Sequence, residues 1–159
     1  MMEPNEKNSI DGENDMKKFF ILALSAIFGV GVAFADDRAI TIDALPSAAI
    51  EFLATTFPQQ KVSVATVDRG VFDAEYKVVL NDGTHIEFDR NGNWESIKHK
   101  GGAIPATIVP QPIVEFVRQR FDGAKITKIE RDNGTYEVDL VGGVDLKFDR
   151  NFNCTEVDF

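Results

Sequence analysis

Two short stretches of the sequence each place three oxygen-bearing side chains at alternate positions. They comprise Asp89, Asn91 and Asn93, and Asp149, Asn151 and Asn153. Carboxylate and amide oxygens at alternate positions also open the calcium-binding loop of an EF-hand. The match is partial, because such a loop has glycine at its sixth position and glutamate at its twelfth, where the first stretch has Trp94 and Lys100. These six residues are therefore candidate calcium ligands.

The same residue types also favour a tight turn between two strands. Asp and Asn side chains tolerate turn conformations and hydrogen-bond to backbone groups two residues further on, which many hairpins use without any metal. Both interpretations remain open at the level of the sequence.

Other residues that could carry chemistry give weaker patterns. His85 shares a predicted outer strand face with Glu75 and Glu87, which favours a surface cluster of ion pairs over a zinc site lacking a further ligand. The serines fit neither a nucleophile elbow nor a Ser-x-x-Lys motif, and the lone Cys154 has no histidine at its matching strand position. The sequence therefore predicts a protein without catalytic activity.

The two Asp-x-Asn-x-Asn stretches belong to a longer internal repeat. The segment from Phe88 to Asn93 and the segment from Phe148 to Asn153 agree at five of six positions. Tyr76, Val78 and Leu80 also recur sixty positions later as tyrosine, valine and leucine. Such a repeat predicts one supersecondary unit in two copies, with the shared apolar positions in the core.

Each copy begins with an amphipathic helix. Apolar residues recur at three- and four-residue steps from Thr41 to Phe57 and again from Val109 to Phe121. Asp43 is a candidate capping residue for the first helix, and Pro58 prevents its continuation. The linker between the copies is predicted at residues 98–102.

Alternating apolar residues separated by Gly- and Asn-rich turns follow each helix and predict four strands per copy. The fold class is therefore α+β: two tandem repeats, each one helix plus a four-stranded antiparallel meander, with the helices on one sheet face. The second sheet face is left for solvent or a partner.

The start of the chain has the features of a secretory leader. Lys17 and Lys18 precede an uncharged run that ends in Ala33-Phe34-Ala35, so residues 16–35 are a predicted signal peptide and residues 1–15 an over-extended, disordered start. The repeats then span residues 36–100 and 101–159. Removing residues 1–35, with their five acidic and three basic residues, leaves 21 acidic and 14 basic residues, a net charge of −7, which disfavours nucleic acid as a partner.

The combined pattern resembles a known family. A leucine or valine before proline, a helix ending in phenylalanine, Tyr-x-Val-x-Leu, a glycine turn and Phe-Asp-x-Asn-x-Asn are similar to the PepSY-like, β-lactamase-inhibitor-like periplasmic proteins. The resemblance implies tandem units of one helix and four strands, a periplasmic location and a partner gripped across the open sheet face. It implies no catalytic residue. The second copy departs from the family pattern at Phe152 and Cys154, so the two surfaces need not be equivalent.

Aromatic residues amid charge form the candidate partner-binding surface. Aromatic anchors in a charged surround suit a protein interface. The residues are Trp94, Phe152, Phe72, Glu75, Lys77, Glu87, Glu137 and Lys147. An alternative is that Trp94 folds back over a sheet edge. The expected partner is an envelope or secreted protein, and the second hypothesis is a calcium or small-ligand sensor that uses the Asp-x-Asn-x-Asn turns.

Overall fold

Nine strands of the described residues follow one another in sequence and form a single antiparallel sheet. The computed structural model describes residues 37–70 and 73–159, which lie within one compact unit, Phe34–Phe159. Each strand in this part of the chain pairs with the next one along the chain. The strands are β1 (Arg38–Ala39), β2 (Val62–Arg69), β3 (Ala74–Leu80), β4 (Thr84–Phe88), β5 (Trp94–His99), β6 (Ile126–Asp132), β7 (Thr135–Leu140), β8 (Val144–Phe148) and β9 (Cys154–Asp158).

Two helices complete this part of the chain: α1 (Ser47–Thr56) and α2 (Gln111–Arg120). The predicted α+β class is confirmed as an antiparallel sheet with helices. Neither helix has the long apolar run that crossing a bilayer requires. The predicted leader, the polar start before it and Phe72 lie outside the described residues.

An unbroken row of apolar side chains crosses the middle of the sheet. Its members face one another across β3 to β8, and each is 0% exposed. This core row consists of Val78, Ile86, Ile97, Ile129, Val138 and Leu146. Burial of one such side chain stabilises a fold by about 1.5–3 kcal/mol. The row continues through the β5–β6 pair, so the two predicted copies share one core.

Both helices contact the sheet face that carries the core row. The ring of Phe52 in α1 lies 5.8 Å from that of Phe88, and the ring of Phe116 in α2 lies 5.3 Å from that of Phe148, both edge to face. The strand registers put Phe88 and Phe148 on the side of the core row. The opposite face of the sheet lacks helices within the described residues.

The predicted start of the first helix was wrong. A single 3-10 turn, Ile42–Ala44, comes first, and α1 begins after Pro46 without a side-chain cap. Asp43 lies in that turn, where a hydrogen bond with Thr41 lowers the pKa of its carboxyl group. The extended backbone of Leu45 and Pro46 separates the turn from α1 and removes Asp43 from the capping position.

Two features at the ends of the predicted copies were not anticipated. The two-residue strand β1 pairs Arg38 with Val67 and Ala39 with Thr66, and so covers the outer edge of β2. Lys98 and His99, predicted as linker, are the last residues of β5. Lys98 pairs with Lys128, so the predicted linker begins inside the sheet.

The turn after β4 packs against the start of α1. Gly92 has φ +85°, and a Cβ atom added there would lie 2.7 Å from the backbone nitrogen of Ala49 and 2.9 Å from Cβ of Pro46. Phe152 occupies the corresponding place in the turn after β8 with φ +62°, and its ring lies 5.5 Å from that of Tyr136. The first turn therefore packs closely against α1, whereas the second turn contributes the Phe152 ring to an aromatic pair with Tyr136.

This difference yields a prediction for two glycines with almost equal φ. Gly83 has φ +86° and nothing within 4 Å of an added Cβ. We expect Gly83→Ala to lower the free energy of unfolding by about 1–2 kcal/mol through its left-handed backbone alone. Gly92→Ala should cost about 1–3 kcal/mol more, because the turn or α1 must shift to avoid overlap. Urea unfolding of both variants measures the difference, and equal losses would contradict the close packing of the turn on α1.

Candidate functional site

The sheet face without helices carries a row of polar and charged side chains. Adjacent members face one another across β3 to β9 in the strand registers. We call this set the charged row: Lys77, Glu87, Ser96, Glu130, Glu137, Lys147 and Glu156. Four of the predicted partner-binding residues stand in it, namely Lys77, Glu87, Glu137 and Lys147. Glu75 lies two positions before Lys77 on the same strand and therefore on the same face.

A second row runs beside the charged row on the same face. It comprises His85, Lys98, Lys128, Asp139, Asp145 and Asp158, again paired strand by strand. The predicted partner-binding set omitted Ser96, Glu130 and Glu156 of the charged row and every member of the second row. Lys128 and Glu130 flank the buried Ile129 in sequence, so the alternation of β6 was the signal that could have identified them.

Ion pairs connect several of these side chains. Lys128 Nζ lies 2.8 Å from a carboxylate oxygen of Glu130 and 3.9 Å from one of Glu137. Lys147 Nζ lies 2.9 Å from Glu156, and the Ser96 hydroxyl donates to Glu130 at 3.4 Å. The Lys128 and Glu130 side chains are only 14% and 18% exposed, so their pair is screened less by solvent than a pair on an open surface.

At the β2–β3 end of the face, Lys77 Nζ lies 3.4 Å from Asp37 and 3.6 Å from Glu75. Its ammonium group therefore stands between two carboxylates, as that of Lys128 does further along the sheet.

Some carboxylates on this face, Glu87 and Asp139 among them, ionise less readily than usual. Burial raises the pKa of Glu87, and the neighbouring Glu75 carboxylate raises it further. Burial also raises the pKa of Asp139, despite the attraction of Lys128. Burial alone would lower the pKa of Lys128, but its hydrogen bond and charge interaction with Glu130 raise it instead. Keeping these carboxylates ionised therefore lowers the stability of the folded protein, and a cation that approaches the face would reduce this loss.

The expected outward position of Trp94 was wrong. Strict alternation from Ser96 would place Trp94 on the charged face, but a bulge between Glu87 and Phe88 pairs it with Phe88 on the core side. Its half-buried ring packs against the core, and the Arg131 guanidinium carbon lies 4.1 Å from the ring centroid. The alternative, in which Trp94 folds over a sheet edge, stays a prediction, because the β5–β6 pairing begins only at Ser96.

Phe152 was expected on a turn or on the outer face; it lies in the turn between β8 and β9, and its side chain packs against the core. It lies beside Tyr136, whose strand register places it on the side of the core row. The predicted aromatic and charged residues therefore do not form one surface: the charged ones share the open face, and these two aromatic ones lie on the other.

The two Asp-x-Asn-x-Asn stretches form closed turns with one hydrogen-bond pattern. Asp89 Oδ1 accepts from the backbone N–H groups of Asn91 and Asn93, both at 2.8 Å, and its Oδ2 accepts from the Asn93 amide at 2.9 Å. Partial burial opposes ionisation, but these hydrogen bonds lower the pKa of Asp89 overall.

Asp149 accepts the same bonds from Asn151 and Asn153 at 2.8, 2.9 and 3.0 Å, and the bond from the Asn153 amide contributes most to lowering its pKa. Both carboxylates thus serve their turns. Among the described residues, no three His, Cys, Asp or Glu side chains are grouped to hold one metal ion. Calcium binding stays a prediction.

Comparison with known proteins gives one family and several solved structures. A family model described as "putative beta-lactamase-inhibitor-like, PepSY-like" matches residues 74–156. A "putative periplasmic protein" of Bacteroides vulgatus is 38% identical, with a TM-score of 0.74 over 81% of this chain and 100% of that chain. No curated protein matches the sequence.

Two further structures are similar over most of the chain. A "putative calcium-regulated periplasmic protein" of Bacteroides thetaiotaomicron is 35% identical, with a TM-score of 0.76 over 79% of this chain and 99% of that chain. A second Bacteroides vulgatus protein, "of unknown function", is 31% identical, with a TM-score of 0.73 over 77% and 99%.

The raised pKa of Glu87 predicts a pH-dependent effect of its substitution. Because the folded state disfavours the ionised form, the contribution of Glu87 to stability is full below its ordinary pKa of 4.5 and is lost as the pH rises through the folded-state pKa. Glu87→Gln should therefore raise the free energy of unfolding at pH 7 and change it little at pH 3.5.

Urea unfolding at both pH values tests this, with Glu51→Gln on the exposed side of α1 as a control that should be neutral at each. An equal effect of Glu87→Gln at the two pH values would contradict the electrostatic cause.

Proposed function

Because the chain belongs to the PepSY-like, beta-lactamase-inhibitor-like family, we propose that it is a periplasmic protein that binds an envelope or secreted protein. Binding takes place through the helix-free sheet face and inhibits or regulates the partner, and the chain itself is not an enzyme. The periplasmic descriptions of the similar Bacteroides proteins support this location. The predicted signal peptide at residues 16–35 would direct export there.

The observation that carries the proposal is the continuity of the charged row. It crosses seven strands without a helix over it in the described part of the chain. At a spacing of about 4.8 Å between strands the row is roughly 29 Å long. A patch of that length suits a standard protein interface of about 800 Å² per partner. The family description as inhibitor-like agrees with such a use.

In this proposal the face is assembled from two copies of one unit, with boundaries near residues 36–100 and 101–159. Equivalent pairs support this view: Lys77 faces Glu87 in the first half, and Glu137 faces Lys147 in the second. The sign of each charge is reversed between the halves. The two halves therefore offer a partner different charge patterns on the same backbone geometry.

A second candidate function is a calcium or small-ligand sensor. The description of the Bacteroides thetaiotaomicron protein as calcium-regulated favours it, together with the two Asp-x-Asn-x-Asn turns. For calcium to bind, the amide groups of Asn93 and Asn153 would have to turn their oxygens toward the ion. They now donate N–H groups to the carboxylates of Asp89 and Asp149.

Site-specific photocrosslinking in the native host tests the protein-binding proposal. A photoreactive amino acid replaces Glu137 on the open face, or Arg118 on the exposed side of α2 as a matched control. We expect Glu137 to give a discrete adduct with one envelope or secreted protein and Arg118 to give none. Charge reversal by Lys77→Glu with Lys147→Glu should abolish the adduct while the thermal melt still shows a folded chain. Adducts from Arg118 alone, or none from either position, would refute binding through this face.

Thermal melts in millimolar calcium and in chelator test the sensor. A ligand present at a hundred times its dissociation constant stabilises the folded state by about 2.7 kcal/mol, which should raise the melting temperature by several degrees. The shift should disappear in Asp89→Ala with Asp149→Ala. It should persist in Asp82→Ala, whose carboxylate accepts only the Thr84 N–H in an ordinary turn. Coincident melts of the unsubstituted chain would exclude calcium binding at these turns.

A further inference from the structure

Strand β9 presents an edge that lacks a partner strand among residues 37–70 and 73–159. It is last in the strand order and pairs only with β8 there. Val157 extends the core row beyond Leu146, yet it is 38% exposed, whereas every other residue of that row is fully buried. The end of the core row at β9 is therefore open on the outer side.

The chain shows what covers such an edge at the equivalent position. Ser96, Ile97 and Lys98 of β5 lie sixty positions before Glu156, Val157 and Asp158. The outer edge of β5 pairs antiparallel with β6, where Ile97 faces Ile129 and both are 0% exposed. A strand placed on β9 in the same register would put an apolar residue opposite Val157 and bury it.

The residues on either side of Val157 determine which charges a strand added to β9 should carry. Glu156 and Asp158 are both acidic, and Asp158 also faces Asp145 across the β8–β9 pair. Lys147 balances Glu156 at 2.9 Å, while Asp158 has acids at both Asp145 and Glu156. Opposite charges across a strand pair are stabilising and like charges are destabilising. The incoming strand should therefore carry lysine or arginine on both sides of its apolar residue.

A second copy of this chain fits the edge poorly. Two β9 strands paired antiparallel about Val157 would place Glu156 against Asp158 twice. Head-to-tail addition onto β2 is restricted, since β1 already occupies its outer edge at Thr66 and Val67. Both arrangements that would join copies of this chain are thus disfavoured, and charge on an edge is a common defence against such self-pairing.

We propose that the outer edge of β9 accepts an antiparallel strand from a different protein, with the pattern basic, apolar, basic opposite Asp158, Val157 and Glu156. Backbone hydrogen bonds extend the sheet, and the side chains select the partner. The β9 edge is then a second binding surface besides the charged face, and this proposal does not depend on whether that face binds a protein.

A synthetic peptide with the sequence of β6 tests the proposal directly. The probe is residues 124–131 with Glu130→Lys, which would set lysines against Glu156 and Asp158 and Ile129 against Val157. The matched control is the same segment with Lys128→Glu, which presents two acids instead. In an NMR titration of the isotope-labelled chain, we expect the basic peptide to shift the amide signals of residues 154–159 and to bind about tenfold more tightly than the acidic one.

Charge reversal in the protein provides the decisive control. Glu156→Lys with Asp158→Lys should reverse the preference, so that the acidic peptide binds more tightly, which a merely unfolded variant would not do. Glu137→Lys removes an acid from the open face two strands away and should leave the preference for the basic peptide unchanged.

Several outcomes would overturn the edge contact. One is that neither peptide binds, and another is that the amide signals that shift are centred on β6 and β7. A third is that Glu137→Lys weakens binding of the basic peptide as much as Glu156→Lys with Asp158→Lys does. The last is that a basic peptide N-methylated at alternate residues binds as tightly as the unmethylated one.

Discussion

The burial of one apolar row across six strands is the constraint on which the structure depends. Ile97 and Ile129 face each other where β5 meets β6, and both are fully buried, so the cores of the two halves of the sheet join at this pair. Every strand must keep its register for this row to remain aligned, because a shift of one residue would exchange the buried and the charged side chains. The same register therefore fixes the charged row on the opposite face.

Much of this arrangement could be predicted because it follows from periodicity. Alternation in β3, β4, β7 and β8 identified their buried positions, and the repeat of Phe88–Asn93 located corresponding turns. Alternation could not predict a bulge, and the bulge beside Phe88 moved Trp94 to the core side. The two-residue strand β1 was missed since so short a segment has no period. Asp43 failed as a cap because a 3-10 turn, set by local backbone geometry, precedes the helix.

The candidate site could be predicted in part, again because strand residues alternate between the two faces of the sheet. Lys77, Glu87, Glu137 and Lys147 were identified from strands with strong alternation. Their neighbours Lys128 and Glu130 were missed, although their ion-paired side chains are only 14% and 18% exposed. The importance of these two residues depends on β6 lying beside β5, a long-range pairing that no local pattern specifies. Sequence thus identified the residues within each hairpin, while the junction between the halves required the structure.

The sequential strand order also affects how the chain folds. Short connections join adjacent strands from β2 to β5 and from β6 to β9, whereas residues 100–125 with α2 lie between β5 and β6. Proteins dominated by local contacts close small loops and tend to fold rapidly, whereas each long loop adds an entropic barrier. Either meander could therefore form early, and alignment of the β5–β6 junction would be the slow step. Until that step is complete, Ile97 and Ile129 remain exposed to solvent, and the partly folded chain is prone to aggregate.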